Sequence, residues 1–200
     1  MDWEQHYQDG HIPWDKGAAA PPLQEWIRSN TGKICGSVLV PGCGLGHDTL
    51  EIASMTEASE IVGIDISPSA IEAAREHSRS DRTKFELADL FKLPDSLSNR
   101  FDWIWEHTCF CAIDQNLRED YVKGVHGALN DGGKLLAVFY LNPYDNEHPR
   151  GEGPPHGTSI EELERLFVES GKFDLLETYV PGESYPGREG LELTALLQKK

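Results

Sequence analysis

Three glycines and one aspartate stand at a spacing that could hold a nucleoside. The apolar run 38–40 predicts a buried strand, which leads into Gly42, Gly44 and Gly46. A second apolar run ends in Asp65, 23 residues after Gly42. This distance is close to the roughly 20 residues that separate the loop from the acid in nucleoside-binding βαβ units. Glycine lets the backbone approach a ligand, and a carboxylate at the strand end can accept hydrogen bonds from a ribose diol. This stretch therefore predicts a nucleoside site.

The spacing of the glycines indicates which kind of nucleoside the site would hold. The dinucleotide fingerprint is Gly-x-Gly-x-x-Gly, and its third glycine lets the helix pack closely beside a pyrophosphate. His47 occupies the position of that third glycine in this chain. The pattern thus weighs against NAD and favours a cofactor without phosphate groups.

The composition is that of a single globular domain with a strong acidic excess. The chain has 200 residues, 38% of them hydrophobic, and a formal net charge of −16, so we expect one domain over residues 1–200. Because nucleic acids bind through Lys and Arg, they are not expected partners. No apolar run approaches the roughly 18 residues of a membrane span, and the acidic N-terminus lacks the apolar core of a secretion signal. We therefore expect no membrane association and a cytoplasmic location.

The four cysteines do not predict a metal site. Cys109 and Cys111 are separated by one residue, and no second pair stands at a zinc-binding spacing. In a chain without a secretion signal, reduced thiols are the expected state. We expect no bound metal.

Strand and helix patterns alternate along the chain. The predicted strands are 37–40, 60–66, 83–88, 101–106, 134–141, 175–180 and 191–197. The predicted helices are 23–29, one capped by Asp48 that runs to residue 55, 67–78, 116–129, and one that starts at Thr158 and Ser159. This alternation predicts an α/β fold with a doubly wound, mostly parallel seven-stranded sheet. The final strand is expected to be antiparallel, since no helix separates it from the strand before.

Two segments fall outside this alternation. Residues 1–30 begin with an irregular, aromatic-rich stretch over 1–20, which we interpret as a lid. Residues 142–158 form a long loop rich in Pro and Gly, and loops of that length usually carry function or are disordered. We expect this loop on the substrate side of the site.

Four motifs occur together and in a fixed order along the chain. They are Ile12-Pro13-Trp14-Asp15-x-Gly17, Val40-Pro41-Gly42-Cys43-Gly44-x-Gly46-His47-Asp48, Gly63-x-Asp65-Ile66-Ser67 and Cys109-Phe110-Cys111-Ala112-Ile113. In this combination the chain resembles the class I S-adenosylmethionine-dependent methyltransferases. Within that class it resembles the thiopurine methyltransferase family, and more closely its plant halide/thiol methyltransferase branch.

The resemblance implies a set of residues that bind the cofactor. Gly42, Cys43 and Gly44 would line its methionine and ribose end, and Asp65 with Ile66 would hold the ribose hydroxyls. The remaining implied contacts are Asp89 and Leu90 to adenine, Glu106 to the ammonium group, His107 beside the cofactor, and Trp3, Tyr7 and Trp14 over the sulfonium. The chain departs from the family pattern at Tyr7, where a tryptophan is usual, and at His107, where the plant branch tends to carry tyrosine. Aromatic faces attract a cation such as the sulfonium.

The resemblance also implies methyl transfer to a small soft nucleophile, with a thiol as the leading candidate. A thiol reacts as its thiolate, so a base would help; the candidates are His11, His107, His148 and His156. Tyr140 could position the acceptor, and Arg150 could offset the negative field that an anionic substrate would meet. The expected partner is thus a small-molecule acceptor, and we expect a monomer.

Three other functions stay open at the level of the sequence. A methyltransferase of the same fold could act on a halide, on oxygen or nitrogen, or on selenium and tellurium oxyanions. An NAD-dependent oxidoreductase is disfavoured by His47 and by the antiparallel end of the sheet. A catalytically silent domain that binds the nucleoside as a sensor is the third.

Overall fold

The computed structural model of the protein describes residues 1–141 and 153–200. The strands are β1 (Cys35–Pro41), β2 (Glu57–Asp65), β3 (Thr83–Leu87), β4 (Phe101–His107), β5 (Leu129–Tyr140), β6 (Phe173–Tyr179) and β7 (Glu192–Lys199). The helices are α1 (Trp3–Gln8), α2 (Pro21–Ser29), α3 (His47–Met55), α4 (Pro68–His77), α5 (Arg118–Ala128) and α6 (Ile160–Leu163), which continues as a wider π-type turn over Glu164–Glu169. Short 3₁₀ turns cover Leu90–Lys92, Asp95–Leu97 and Gln115–Leu117. Among the described residues, no helix is both long and apolar enough to cross a bilayer.

The seven strands form one sheet in the order β3-β2-β1-β4-β5-β7-β6. Neighbours among the first five strands run parallel, and β7 runs antiparallel to both β5 and β6. The predicted mostly parallel sheet with an antiparallel final strand is confirmed. The last strand lies between β5 and β6, so β6 takes the outer edge.

Side chains on alternate positions of the central strands pack on opposite faces of the sheet, as the two-residue period of a strand requires. On β1, Val38 and Val40 join one core cluster together with residues of α2 and α3. Leu39 joins the other cluster, which contains Tyr121 and Val125 of α5. Both faces are therefore covered by helices, and the site must lie at an end of the strands.

The N-terminal segment and the start of β5 differ from their predictions. The stretch expected to be irregular contains α1, because the Asp2 carboxylate caps it by accepting a hydrogen bond from the Gln5 N–H at 3.1 Å. Strand β5 begins at Leu129, before the predicted start at residue 134. Leu129 already pairs with Phe101, and the next pair joins Trp103 to Lys134, so residues 130–133 bulge out of the ladder without ending the strand.

One helix start matches its prediction and another does not. Ser67 caps α4, accepting a hydrogen bond from the Ala70 N–H at 3.1 Å, and Pro68 takes the first helical position. The predicted cap at Asp48 is wrong: α3 starts after Gly46, and Asp48 lies inside its first turn. Its carboxylate serves the site described below.

Candidate active site

A cavity of about 560 Å³ lies where the carboxyl ends of β1, β2 and β4 meet, which is the usual ligand position in open α/β sheets. Its volume falls within the range of small-molecule sites, about 300–1,000 Å³. Most of the predicted cofactor residues line it: Trp3, Tyr7, Trp14, Gly42, Cys43, Gly44, Asp65, Ile66, Asp89, Leu90 and His107. The base candidate His11 lines it as well. The fold thus brings together residues that are distant in sequence.

The glycine loop forms one wall because its backbone turns where side chains rarely fit. Gly44 has φ +52°, and a Cβ added there would lie 2.9 Å from the Tyr7 hydroxyl. Gly46 has φ +85°, and a Cβ there would lie 2.8 Å from the Phe85 ring. The lack of a side chain at Gly44 keeps the cavity open, whereas its lack at Gly46 lets the start of α3 pack on the sheet.

Asp65, the last residue of β2, fixes the glycine loop by a hydrogen bond. Its Oδ2 accepts a hydrogen bond from the Gly44 N–H at 3.0 Å, and its Oδ1 accepts one from the Ser67 N–H at 2.9 Å. Burial raises the pKa of the Asp65 carboxyl above its ordinary value, although these N–H donors partly oppose the shift. Each carboxylate oxygen has two lone pairs, so both oxygens retain capacity for a further donor. The arrangement fits a ribose diol.

Asp89 follows β3 and shapes the next wall. Its Oδ1 accepts a hydrogen bond from the Phe91 N–H at 2.9 Å and so caps the turn that begins at Leu90. The other oxygen lies 4.0 Å from the Lys92 ammonium, and the Asp89 side chain is about one-third exposed. One oxygen is therefore available to a ligand amino group.

The aromatic residues of the N-terminal segment pack against one another over the cavity. The Trp14 ring lies edge-on to Trp3 at 5.1 Å between centroids and to Tyr7 at 5.8 Å. The Trp14 indole N–H donates a hydrogen bond to the Tyr7 hydroxyl at 3.3 Å. Burial, with the nearby Asp65 charge, raises the pKa of the Tyr7 phenol well above its usual range. Tyr7 therefore presents a neutral ring and hydroxyl to the cavity.

Two polar contacts hold this segment on the domain. The Glu4 carboxylate accepts hydrogen bonds from the hydroxyls of Ser67 and Ser69, at 2.6 and 2.7 Å, at the start of α4. The Asp15 carboxylate lies 3.1 Å from His47 Nε2, at the start of α3. The predicted lid thus sits across the glycine loop and the end of β2.

Glu106 lies behind the cavity wall and does not line it. It is fully buried, and its carboxylate accepts hydrogen bonds from the Phe110 N–H at 2.8 Å and from the Tyr121 hydroxyl. Burial raises the pKa of the Glu106 carboxyl. In this position Glu106 holds the turn after β4, in which Thr108 has a φ of 67°. Because its carboxylate is buried behind the wall, a contact with a ligand ammonium group would require this part of the wall to move.

The other acceptor-side candidates divide into three groups. Tyr140 does not line the cavity but stacks under the Arg188 guanidinium, 5.0 Å from its ring centroid. His156 donates its backbone N–H to the Cys111 carbonyl at 2.6 Å and does not line the cavity. His148 and Arg150 lie outside the described residues, as does most of the 142–158 loop.

The sequence did not predict that His107 lies between the carboxylates of Asp48 and Glu192. His107 ends β4 and is 9% exposed, with Nδ1 3.8 Å from Asp48 Oδ2 and Nε2 3.8 Å from Glu192 Oε1. The Asp48 carboxylate also accepts hydrogen bonds from the Trp105 indole N–H at 2.6 Å and from the Ala20 N–H at 2.7 Å. No spacing in the sequence relates Glu192 to His107, because they meet only through the order of the strands.

Arg188 completes this group. Its guanidinium lies 3.4 Å from Glu192 Oε1, and its side chain is only 16% exposed. It also stacks over Tyr185, 5.7 Å from the ring centroid, and both residues line the cavity. Arg188 therefore brings a held positive charge to the cavity wall.

Comparison with known proteins identifies the family. The family model described as Thiopurine S-methyltransferase (TPMT) matches residues 1–180. The chain is 34% identical to Thiocyanate methyltransferase 1 of Brassica oleracea over 84% of this chain and 72% of the relative. It is 32% identical to Probable thiol methyltransferase 2 of Arabidopsis thaliana, with the same coverage of 84% and 72%.

A solved structure shows the same fold. The Burkholderia thailandensis 1,6-didemethyltoxoflavin-N1-methyltransferase, crystallised with its acceptor and S-adenosylhomocysteine, aligns with a TM-score of 0.72. The alignment covers 100% of this chain and 86% of that chain at 18% identity, so the likeness concerns the fold. The glycine loop and Asp65 lie within the residues 1–180 that the family model matches, and their geometry is consistent with that family. The chain belongs to the thiopurine S-methyltransferase family and is an S-adenosylmethionine-dependent methyltransferase with a Rossmann-like fold.

Proposed function

We propose that the enzyme transfers the methyl group to a small sulfur nucleophile, either a thiol or an anion such as thiocyanate. The observation that carries this proposal is the composition of the acceptor side of the cavity. Cys111, Ala112 and Ile113 line the cavity with an apolar wall, and Arg188 lines it as well, close enough for its charge to act on the Cys111 thiol. An apolar wall removes water from a soft nucleophile, and a nearby cation favours its anionic form. The names of the plant relatives, thiocyanate and thiol methyltransferase, point the same way.

The cofactor would lie along the carboxyl ends of β1 to β4. Asp65 would accept the ribose hydroxyls, Asp89 the adenine amino group, and the backbone of Gly42 to Gly44 would line the methionine end. Leu90 and Ile66 would cover the apolar faces of the nucleoside. When bound, S-adenosylmethionine supplies a methyl group on a positively charged sulfur. Trp3, Tyr7 and Trp14 would face that charge, since aromatic faces attract cations.

The protein's main contribution would be alignment and exclusion of water. In-line displacement needs the nucleophile, the methyl carbon and the leaving sulfur on one line, and holding reactants in position can contribute several kcal/mol. The lid, held by Glu4 and Asp15, would close the cofactor side, while Tyr185 and Arg188 would close the acceptor side. The described part of the chain thus supplies both halves of an enclosed reaction space.

Arg188 also offsets locally the repulsion between the acidic protein and an anionic acceptor. A formal net charge of −16 repels anions at long range. A guanidinium that is mostly buried is screened less by salt than an exposed one, so it attracts an anion locally. A small anionic acceptor is therefore compatible with an acidic enzyme.

We also infer that the enzyme works in a reducing compartment such as the cytoplasm. All four cysteines are free thiols, and Cys43, Cys109 and Cys111 line the cavity. Burial raises the pKa of each of these three thiols, so they stay protonated and unreactive at neutral pH. They would contribute polarisable surface and would not compete as nucleophiles.

A panel of acceptors tests the proposed function. The assay follows formation of S-adenosylhomocysteine with alkyl thiols, aromatic thiols, thiopurines, thiocyanate and iodide, beside oxygen, nitrogen and oxyanion acceptors. We expect turnover with sulfur acceptors. Arg188→Met should raise KM for thiocyanate at least tenfold, whereas Arg28→Met, which removes an exposed arginine paired with Glu183, should not. Transfer only to oxygen, nitrogen or oxyanions, or binding without any transfer, would contradict the proposal.

A further inference from the structure

His107 differs from the other histidines that line the cavity. His6 and His11 lie on the N-terminal segment, and the His47 ring contacts Asp15, with Nε2 3.1 Å from its carboxylate. His107 ends a central strand of the sheet, and its side chain is 9% exposed. Among the described histidines of the cavity wall, it is the one with a carboxylate on each side.

The backbone around His107 is fixed. Glu106 holds the following turn through the Phe110 N–H and the Tyr121 hydroxyl. Within that turn Thr108 has a φ of 67°, an unfavourable conformation for a β-branched residue that persists only when its surroundings enforce it. The imidazole is therefore presented from a rigid frame.

The two carboxylates distinguish the two ring nitrogens. Nε2 is buried, makes no hydrogen bond within the described part of the chain, and lies 3.8 Å from Glu192 Oε1. Glu192 is itself 1% exposed, and its Oε2 likewise lacks a hydrogen bond there. Asp48 lies at the same distance from Nδ1, but both of its oxygens already accept an N–H, whereas Glu192 Oε2 has no donor among the described residues. The proton of the neutral ring is therefore assigned to Nε2, which leaves Nδ1 as the basic nitrogen.

The charges of both carboxylates are held in place. The Asp48 carboxylate, 3.8 Å from Nδ1, is fixed by the Trp105 and Ala20 N–H donors. The Glu192 carboxylate is fixed by Arg188, and its pKa is lowered by its contacts with His107, Ser184 and Arg188 despite burial. Separations of 3.8 Å are too long for direct hydrogen bonds, so these groups act on His107 by charge.

We propose that His107 accepts the proton of a thiol acceptor, and that Glu192 is the positioning residue that keeps Nδ1 free to do so. This inference rests on the proposed function. The S–H bond breaks and its proton goes to Nδ1, while the sulfur's electron pair forms the new bond to the methyl carbon. The bond from that carbon to the sulfonium sulfur breaks, and its electron pair stays on the departing S-adenosylhomocysteine. The products are a thioether and an imidazolium, which returns its proton to water.

This role predicts a difference between two kinds of sulfur acceptor. A thiol with a pKa near 8.5 is mostly protonated at neutral pH and benefits from a base, whereas thiocyanate has no proton to lose. A residue that only contacts the cofactor would affect both acceptors equally. The comparison of a protic acceptor with an aprotic one therefore separates the two roles of His107.

The first experiment compares His107→Gln with the unaltered enzyme on 2-mercaptoethanol and on thiocyanate. General base catalysis contributes roughly 10²–10⁴-fold, so we expect kcat/KM for the thiol to fall at least 100-fold and that for thiocyanate to change less than about threefold. His126→Gln is the matched control, since His126 packs against Phe173 and does not line the cavity. Equal losses on both acceptors would overturn the proposal.

A second measurement needs no turnover. An aromatic thiol, thiophenol, is added to the complex with S-adenosylhomocysteine at a pH where the free thiol is mostly protonated, and the thiolate absorbance is recorded. We expect bound thiolate with the unaltered enzyme and with His126→Gln, and its loss with His107→Gln at equal occupancy. The same thiolate fraction in all three proteins would overturn the proposal.

The positioning role of Glu192 has its own test. Glu192→Gln keeps the shape but removes the charge, and we expect about a tenfold loss on the thiol with thiocyanate little changed. Glu183→Gln, at an exposed carboxylate paired with Arg28, should leave both activities unaltered. A Glu192→Gln effect that is equal on both acceptors would reject the positioning role. Absence of transfer from the unaltered enzyme to every sulfur acceptor would instead overturn the proposed function, and this inference with it.

Discussion

The Glu4 carboxylate accepts a hydrogen bond from the Ser67 hydroxyl at 2.6 Å, joining residues 63 positions apart in the sequence. Ser67 also caps α4, so one hydroxyl group links the N-terminal segment to a helix start. The same carboxylate accepts the Ser69 N–H at 3.1 Å and occupies the helix end, where backbone N–H groups favour a negative charge. The N-terminal segment is thus attached to the helix that follows Asp65.

Removal of this attachment should weaken cofactor binding more than folding. We expect Glu4→Ala to lower the affinity for S-adenosylhomocysteine several-fold by calorimetry, because the lid must then be ordered at the expense of binding. The free energy of unfolding without ligand should fall by a smaller amount, because Glu4 contacts only the start of α4. Gln5→Ala, on the same helix but facing Asp9, is the control. Unaltered affinity in Glu4→Ala would show that this contact does not hold the lid.

The Glu4 contacts should also depend on pH in a defined direction. The hydroxyls of Ser67 and Ser69 lower the pKa of the Glu4 carboxyl from an ordinary 4.5 to about 2. A lowered pKa means that the stabilisation is complete above about pH 4.5 and is lost as the pH falls toward about 2. Denaturant unfolding of the unaltered protein and of Glu4→Ala measures this as a difference that shrinks on acidification. A difference that grows at low pH would contradict the assignment.

Asp65 should be indispensable for the cofactor. Hydrogen bonds to charged groups contribute about 1.5–3 kcal/mol each, so Asp65→Ala should weaken S-adenosylhomocysteine binding by roughly 10- to 150-fold or more. Asp95→Ala, at an exposed aspartate away from β2, serves as the control in the same titration. Equal affinity of the two variants would remove Asp65 from the ribose site.

The aromatic residues Trp3, Tyr7 and Trp14 should favour binding of S-adenosylmethionine, whose sulfur is charged, over S-adenosylhomocysteine, whose sulfur is not. A cation–π contact contributes about 0.5–2 kcal/mol, or roughly 2- to 30-fold in affinity. Trp14→Leu should therefore weaken S-adenosylmethionine binding more than S-adenosylhomocysteine binding, since only the former carries the sulfonium charge. Calorimetric titration of both ligands measures the ratio. Equal weakening of both would assign Trp14 a packing role alone.

Gly44 should tolerate no side chain. A left-handed backbone costs an L-residue about 1–2 kcal/mol, and at Gly44 a Cβ would also press on the Tyr7 hydroxyl at 2.9 Å. Gly44→Ala should lower the unfolding free energy and also impair cofactor binding. Gly171→Ala is the matched control, because Gly171 has φ +76° but no atom within 4 Å of the added Cβ. It should show the backbone cost alone, and normal cofactor binding by Gly44→Ala would contradict the steric argument.

The half of the sheet around the glycine loop could be predicted because its signals are local. A strand, a turn with positive φ and a helix start each depend on a few adjacent residues, and Gly42 to Asp65 contain all three. Ser67 and Pro68 likewise predicted the start of α4 from two positions. Asp48 shows the limit of such signals: a helix-start residue was recognised, but its partners, Trp105 and Ala20, are far away in sequence.

By itself, the sequence determined the family and the sheet, since these follow from short motifs and their order, and it predicted most of the residues that line the cavity. Only the tertiary structure decided which groups surround His107. His107 pairs in register with Val138, and Tyr140 pairs with Glu192, so β5 stands between the histidine strand and the strand that carries the carboxylate. The insertion of β7 beside β5 brings Glu192 and Arg188 to His107, while burial turns Glu106 away from the cavity. Strand order and burial depend on packing across the whole domain, and no local pattern of residues specifies them.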